Sequence, residues 1–419
     1  MRRREYLMGL GTAATVPTAG CTDAFGVWED APEPAAERAD ARIEGAWPTH
    51  GFDAENTRRA DAPGPVDELT GLWEAENQIF GDPIIGNSIV YTTQGQDMHV
   101  RTREAATGEW VDTPLDGASG SVEAIAKDVA VLLDVDDAAR EPILRCVGLD
   151  DGTERWRTAV EGDRPERIAV VGSRVCVLDV DISGGGYGLV LSSYDIDDGT
   201  MHWSKRVRDG DGERLIPHFQ LACDDDAAFV SIGDRLVADS ITEGERLWTD
   251  PFDALEAPLA CGPVVGDDRI IVGTDDGVLT AFDSDGVLDW QFESPSVASD
   301  LAVGEDVVYA GTSRIELIDS SSGERIDSVH NVPNDQIALG DGTLYATADG
   351  ELSAIDTGTG EERATLSVET TTVESDQGTP FETAQLSEIA VVDDMLFVSR
   401  PDSSDDPSTV FAIGPDERH

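Results

Sequence analysis

Between residues 262 and 295 the chain reads GPVVGDDRIIVGTDDGVLTAFDSDGVLDWQFESP, in which short apolar runs alternate with turns of Gly and Asp. PVV, IIVGT, VLTAFD and LDWQFE are separated by GDD, DDG and SDG. Runs of this length, rich in Val and Ile and joined by tight Asp-Gly turns, predict four consecutive antiparallel strands. A meander of about 35 residues cannot bury both of its faces alone. It becomes stable when copies stack against it.

The copies are found by their last turn. Gly152, Gly199, Gly244 and Gly286 are each followed four residues later by Trp156, Trp203, Trp248 and Trp290. The same turn recurs without Trp at Gly108, Gly323 and Gly360, so the seven glycines are spaced 44, 47, 45, 42, 37 and 37 residues apart. Each follows a strand pair such as VVYAGT/IELID (307–319) or TLYATA/ELSAID (343–356). An eighth copy, 389–414, stops after its third strand, and Gly71-Leu72-Trp73-Glu74-Ala75 stands alone before the first. A chain whose two ends share one repeat closes a ring and removes the exposed sheet edge. The prediction is an all-β, eight-bladed β-propeller of four-stranded antiparallel blades over 67–419, closed by its N-terminal strand.

Ahead of the repeats lie three other segments. Residues 1–21 contain Arg2-Arg3-Arg4-Glu5-Tyr6-Leu7 and a weakly apolar run too short and polar to span a bilayer. With Arg3 and Arg4 as its pair, this resembles a twin-arginine export signal. Thr18-Ala19-Gly20-Cys21 resembles a lipobox, with Thr18 where bacterial lipoboxes usually carry Leu; the expectation is a lipid on Cys21 and a place on the outer face of the cytoplasmic membrane. Residues 22–45 are Ala-, Pro- and acid-rich, a composition that cannot offset its ordering entropy, and read as a disordered tether. Residues 46–66 regain aromatic residues, Trp47 and Phe52, and are expected to pack on the propeller's outer wall.

Charge narrows the function. Asp and Glu number 85 against 29 Lys and Arg, a formal net charge of −56, and lysine occurs only at 127 and 205. The acids are spread over nearly every turn, which suits solubility in concentrated salt, where screening suppresses self-repulsion. This resembles proteins of halophilic archaea. It excludes nucleic acid as a partner, because phosphate binding needs clustered Lys and Arg. Cys146, Cys176, Cys223 and Cys261 lie on or beside predicted strands without CxxC spacing and read as buried apolar thiols rather than metal ligands. No Asp-x-Asp-x-Asp-Gly calcium loop, Gly-x-Ser-x-Gly, His-Glu-x-x-His or phosphate-cradling Gly-Lys loop occurs.

Ser193-x-Asp195-x-x-Asp198-Gly199-x-x-x-Trp203 has the spacing of the tryptophan-docking repeat A-x-D-x-x-T-G-K-x-x-W, and Cys146–Trp156 and Ala238–Trp248 keep it. Ala354–Gly360 matches the first seven positions, with Ala364 in place of Trp. Over about residues 70–414 the chain therefore resembles the pyrroloquinoline-quinone (PQQ)-like repeat proteins, BamB-like propeller lipoproteins of outer-membrane protein assembly among them. The resemblance implies that Trp73, Trp156, Trp203, Trp248 and Trp290 dock one blade on the next. It also raises quinoprotein dehydrogenases, which hold PQQ over an adjacent Cys-Cys disulfide with calcium. This sequence has no adjacent cysteines, so neither PQQ nor calcium is expected.

Insertions fall in two loop classes that share one face of a propeller. Asp134–Pro142, Asp181–Gly188 and Arg400–Thr409 join second to third strands, while Arg208–Pro217 and Glu369–Ser387 join blades. Insertions gathered on one face mark it as interaction-bearing. Tyr187, His218, Phe219 and Phe381 are its candidate partner-binding side chains. The reading is a monomeric, non-enzymatic surface lipoprotein that binds a protein or glycan there; the alternative is a quinone-dependent or other oxidoreductase with a reduced cofactor site.

Overall fold

The computed structural model describes residues 46–415 apart from 77–78, 95–97, 137–138, 183–186, 209–218, 250–254, 256, 267, 330–335, 349, 368–371, 375–379, 383–385, 387 and 401–407. The described elements are strands, arranged as eight blades around one axis. We letter the strands of a blade A to D from the axis outward. Blade 1 holds Ile79–Gly86, Ile89–Gln94 and His99–Glu104; blade 2 holds Ser121–Ala126, Val129–Val135, Pro142–Gly148 and Glu154–Ala159. Blade 3 is Arg164–Val171, Arg174–Asp181, Gly188–Asp195 and Met201–Arg208; blade 4 is Leu221–Cys223, Ala227–Ile232, Arg235–Ser240 and Arg246–Thr249. Leu259–Gly266, Arg269–Thr274, Val278–Asp283 and Leu288–Glu293 make blade 5, and Asp300–Val303, Val307–Gly311, Ile315–Asp319 and Arg325–Val329 make blade 6. Blade 7 comprises Gln336–Gly340, Thr343–Ala348, Glu351–Asp356 and Glu362–Ser367. Blade 8 takes Ile389–Val392, Met395–Arg400 and Thr409–Gly414 from the end of the chain and its D strand, Thr70–Glu76, from the beginning.

That joint closes the ring in antiparallel register, with Thr70 opposite Gly414, Trp73 opposite Ala412 and Ala75 opposite Val410. Strand sequence follows position in the blade. The B and C strands of blade 3, RVCVLDVD and GLVLSSYD, are buried along almost their whole length, whereas its D strand, MHWSKRVR, is half exposed. Central strands packed on both sides need near-continuous apolar sequence, and an outer strand does not.

Two parts depart from the expected repeat. In blade 1 the D strand starts at residues 109–111, where Glu104 N–H bonds Glu109 O at 2.9 Å and Val111 N–H bonds Thr102 O at 3.1 Å. The chain then swings off at Thr113-Pro114, whose proline has no N–H to continue a ladder, and returns with Gly117 N–H to Val100 O at 2.8 Å. The blade is therefore three-stranded with a bulged outer segment. Between blades 7 and 8, Thr372–Glu374 and Pro380–Glu382 form a small hairpin that the pattern had left as loop.

The expectation that residues 46–66 pack on the outer wall is overturned. Trp47 is fully buried, and the segment runs around the inside of the ring. It meets the blades in their own order. Trp47 exchanges both backbone bonds with Ile85 of blade 1 at 2.9 Å, and Pro48 O accepts from Ile125 of blade 2. The carbonyls of Ala54, Glu55, Thr57 and Arg58 then accept from Cys223, Val265, Val303 and Leu339 of blades 4 to 7, at 2.6–3.0 Å. Ala62 O and Pro63 O accept from Asp341 and Asp394 in blades 7 and 8, and Tyr345 Oη donates to Pro65 O at 3.1 Å. The physical reason is that every A strand turns one edge of its backbone toward the axis, and a buried N–H without an acceptor is costly. The outer wall offers no such demand.

Candidate functional site

The blades are locked by a contact that the repeat encodes in two halves. Each docking Trp reaches across to the C–D turn of the next blade rather than folding over its own. Its indole N–H donates to a backbone carbonyl there: Trp73 to Ala105 O at 2.9 Å, Trp156 to Ile196 O at 2.7 Å, Trp203 to Ile241 O at 3.0 Å, Trp248 to Ser284 O at 2.9 Å and Trp290 to Ser320 O at 2.8 Å. The ring lies on the turn glycine, respectively Gly108, Gly199, Gly244, Gly286 and Gly323, where a Cβ would fall 2.5–2.7 Å from the nearest indole carbon. All five glycines have φ between +69° and +78°, a region open to glycine at little cost. The repeat's Asp shapes the same turn: Asp319 Oδ1 accepts from Ser321 and Ser322 N–H, and Asp356 Oδ1 from Gly358 and Thr359 N–H. Those bonds hold both carboxyls below the usual range, with the hydroxyls of Ser321 and of Thr359 as the first cause. At the other joints Pro114 and Val329 face Gly152 and Gly360 in place of an indole.

The axis is the second candidate region. The axial segment bonds mainly to the later residues of the A strands, at the end where the A–B turns emerge, and its side chains run inward. Arg58 Nε lies 2.9 Å from Asp300, its Nη1 3.7 Å from Glu388 and 3.3 Å from Gln336 Oε1. Glu388 also accepts from the Trp47 indole at 3.4 Å and from Gly51 N–H, and faces His50 Nδ1 at 3.5 Å. Asn56 Nδ2 donates to Leu221 O and Pro263 O at 2.8 and 3.2 Å. Burial pushes Asp300 up to about 6 against the pull of Arg58, and pushes Glu55 up to about 7 with Asp53 adding repulsion. The inward-facing groups of several A strands are thus engaged by the chain's own residues.

On the opposite face emerge the B–C loops and the connections between blades. Val135, the last residue of the B strand of blade 2, and Ile182 and Tyr187, on the B–C loop of the adjacent blade 3, are 50%, 53% and 41% exposed. Tyr187 is therefore exposed on this face. Phe219 is not: it is buried with Leu221, Cys223 and Leu178 between blades 3 and 4, because it leads directly into the A strand of blade 4. Phe381 lies on the small hairpin before blade 8. His218, Arg3, Arg4 and Cys21 fall outside the described residues, as do most residues of the longest insertions.

The four described cysteines are buried free thiols, and burial pushes Cys261 up to about 12 and Cys146 to about 11. A thiol so far above neutral pH is a poor nucleophile and a poor ligand. Among the described residues no group of three His, Cys, Asp or Glu side chains is placed to hold a metal ion.

Sequence reasoning missed the axial segment. Its only signal was an aromatic pair, Trp47 and Phe52, outside the repeats, now 5.1 Å apart between ring centroids.

A family profile described as "Outer membrane protein assembly factor BamB" matches residues 135–254 and 217–330. Among solved structures, BamB from Moraxella catarrhalis superposes with a TM-score of 0.53 at 16% identity, over 84% of this chain and 99% of that one. Quinohemoprotein alcohol dehydrogenase from Comamonas testosteroni superposes at 0.60 and 14% identity, over 90% of this chain and 81% of that one. The computationally designed protein Ika8 gives 0.58 at 15% identity, over 83% and 99%. No curated protein sequence matches the chain. At such identities the likeness establishes the propeller fold, which hosts a redox enzyme, an assembly factor and a designed protein alike.

Proposed function

Taking the repeats of residues 135–330 as belonging to the BamB family of PQQ-like propellers, we propose that this chain is a non-enzymatic scaffold that docks a protein partner on its long-loop face. The observation that carries the reading is the set of exposed apolar side chains there, Val135, Ile182 and Tyr187, on two adjacent blades. Exposed apolar groups clustered beside polar loops are the usual core of a protein contact. Fold alone would leave an oxidoreductase equally open. Two features favour the scaffold: the axis is occupied by residues 47–65, and the described cysteines are separate, at 146, 176, 223 and 261.

The scaffold reading extends to location. A monomer exported through Arg3-Arg4 and lipidated on Cys21 would sit on the outer face of the cytoplasmic membrane. Residue 46 enters the ring at the A–B turn end, so a tether before it would leave the loop face pointing away from the lipid.

The test is affinity capture from native membranes in concentrated salt, with Ile182→Asp/Tyr187→Ala as the comparison. The double variant should melt like the parent and lose the captured protein. An equal catch from both would remove the loop face as the docking surface. A shifted absorbance spectrum on adding PQQ and calcium to the parent would favour the oxidoreductase instead.

A further inference from the structure

The bulge in blade 1 opens a cleft beside its outer strand. Residues 112–116 stand away from the C strand, and between them opens a cleft of about 410 Å³ lined by Gln94, Arg101, Trp110, Val111, Asp112 and Asp116. Trp110 is 52% exposed, whereas Trp47, Trp73, Trp156 and Trp290 are buried and Trp203 and Trp248 lie between blades. An exposed indole demands a reason in a chain that hides its other described tryptophans.

The ring is held rather than loose. The Arg103 guanidinium stacks 3.7 Å from its centroid and that of Arg101 lies 5.9 Å away. Arg101 and Arg103 are alternate residues of one strand, so their side chains share a face of the sheet with Trp110, which stands opposite Arg103, and about half of Trp110 is left to solvent. Arg103 is fixed in turn by Gly108 O at 2.7 Å, and Arg101 by Gln94 Oε1 at 3.1 Å and Asp116 Oδ2 at 3.3 Å. The Asp116 carboxylate also accepts from Thr102 N–H. The lining carries one guanidinium, Arg101, and two carboxylates, Asp112 and Asp116, so the cleft holds no surplus of positive charge. It offers a flat apolar platform and a rim of directional donors and acceptors.

We propose that this cleft binds an uncharged hexose ring of a glycan, stacked on the exposed surface of Trp110. A pyranose presents what the cleft complements: one face of C–H groups for an electron-rich aromatic surface, and equatorial hydroxyls that both donate and accept toward planar carboxylate, amide and guanidinium groups. A polyanion is disfavoured by the chain's net −56 and by a cleft with two carboxylates against one guanidinium. The volume falls within the roughly 300–1,000 Å³ of small-ligand sites. The site lies on the outer part of blade 1, with Gln94 at the end of that blade's B strand in its lining, and includes none of Val135, Ile182 and Tyr187, so it does not depend on the protein partner proposed for them.

The experiment titrates the full chain in molar KCl with maltotriose, cellotriose and mannotriose, following Trp fluorescence and heat. At least one should bind saturably. Trp110→Ala should weaken it about tenfold or more, the size of one lost contact of about 1.4 kcal/mol, while Trp110→Phe keeps most of the affinity. Asp112→Ala, on the exposed lip, gives a second variant that leaves the Trp110 stack in place and should also weaken binding. Affinity should hold across a KCl series, since no charge is neutralised. No binding to the folded parent, or binding by Trp110→Ala and Asp112→Ala as tight as the parent's, overturns the proposal. So does Trp110-dependent capture of a membrane protein without any saccharide response, which would make the cleft a protein contact.

Discussion

Replacing a turn glycine by alanine separates the docking contact from the turn that carries it. At Gly199 an added Cβ would lie 2.6 Å from Trp156 Cε3 and 2.7 Å from Cδ2, at φ +72°. At Gly360 the turn has the same shape, φ +69°, but the nearest neighbour is Val329 Cγ2 at 3.9 Å. Gly342, φ +73°, has nothing within 4 Å. Alanine in the left-handed region costs about 1–2 kcal/mol at any of the three. At Gly199 alone the indole must also move, adding about 1–3 kcal/mol of overpacking. If it moves far enough to release Ile196 O, about 1 kcal/mol of hydrogen bonding goes too. The expected losses are thus about 2–6 kcal/mol for Gly199→Ala and about 1–2 for Gly360→Ala and Gly342→Ala. Urea unfolding in molar KCl, followed by Trp emission, reads the difference, and Gly286→Ala against Trp248 should fall with Gly199→Ala. Equal losses at Gly199 and Gly360 would show that the Trp–Gly joint adds nothing beyond the turn.

The raised carboxyls give a pH dependence of definite sign. Burial pushes Asp179 and Glu55 up to about 7 and Asp300 up to about 6; the folded state therefore keeps protons that the unfolded chain releases, and stability falls as pH rises through roughly 4–7, then levels off. The thermal midpoint should be higher near pH 5 than near pH 8, and Asp179→Asn should raise it at pH 8 more than at pH 5; a midpoint that climbs with pH contradicts the assignment. With a net −56 and a Debye length that shrinks from roughly 30 Å at 0.01 M salt to about 3 Å at 1 M, the midpoint should also climb steeply with KCl, and a salt-independent midpoint would mean that the acids are balanced locally. Deleting residues 66–77 removes the D strand of blade 8 and should cause aggregation or a large loss of thermal stability, whereas melting like the parent would refute closure by Thr70–Glu76. Arg58→Met leaves Asp300 and Glu388 facing each other without their cation, and should lower the midpoint most above pH 7; a loss that is the same at pH 5 would assign the effect to packing.

Blade number, strand order and closure were legible because each rests on side-chain pattern. Alternating apolar runs mark the strands, the Gly–Trp spacing marks the joints, and the orphan Gly71–Ala75 pairs where the missing fourth strand required. The axial path of residues 47–65 was not legible, because it is written in backbone carbonyls that any residue possesses. Pro48, Ala54, Glu55, Thr57 and Arg58 serve the A strands through their C=O groups, and no periodicity records that. The bulge in blade 1 had a local signal, Pro114 where a D strand needs a donor, which the regular spacing around Gly108 outweighed. Phe219 was misplaced by a boundary: the loop that the insertion pattern marked ends just before it, and the side chain already belongs to the core.

The route of the axial segment also sets the order in which the molecule can be finished. Trp47 bonds Glu388 across 341 positions of sequence, and Pro63 accepts from Asp394. During synthesis residues 47–65 must wait for partners made as much as 341 positions later. Until then each completed blade presents an unmet backbone edge inward, as a barrel stave stands loose until the hoop is on. Contacts of such separation make folding slow, and they make its final step all-or-none, since the hoop and the closing strand are consecutive pieces of one chain.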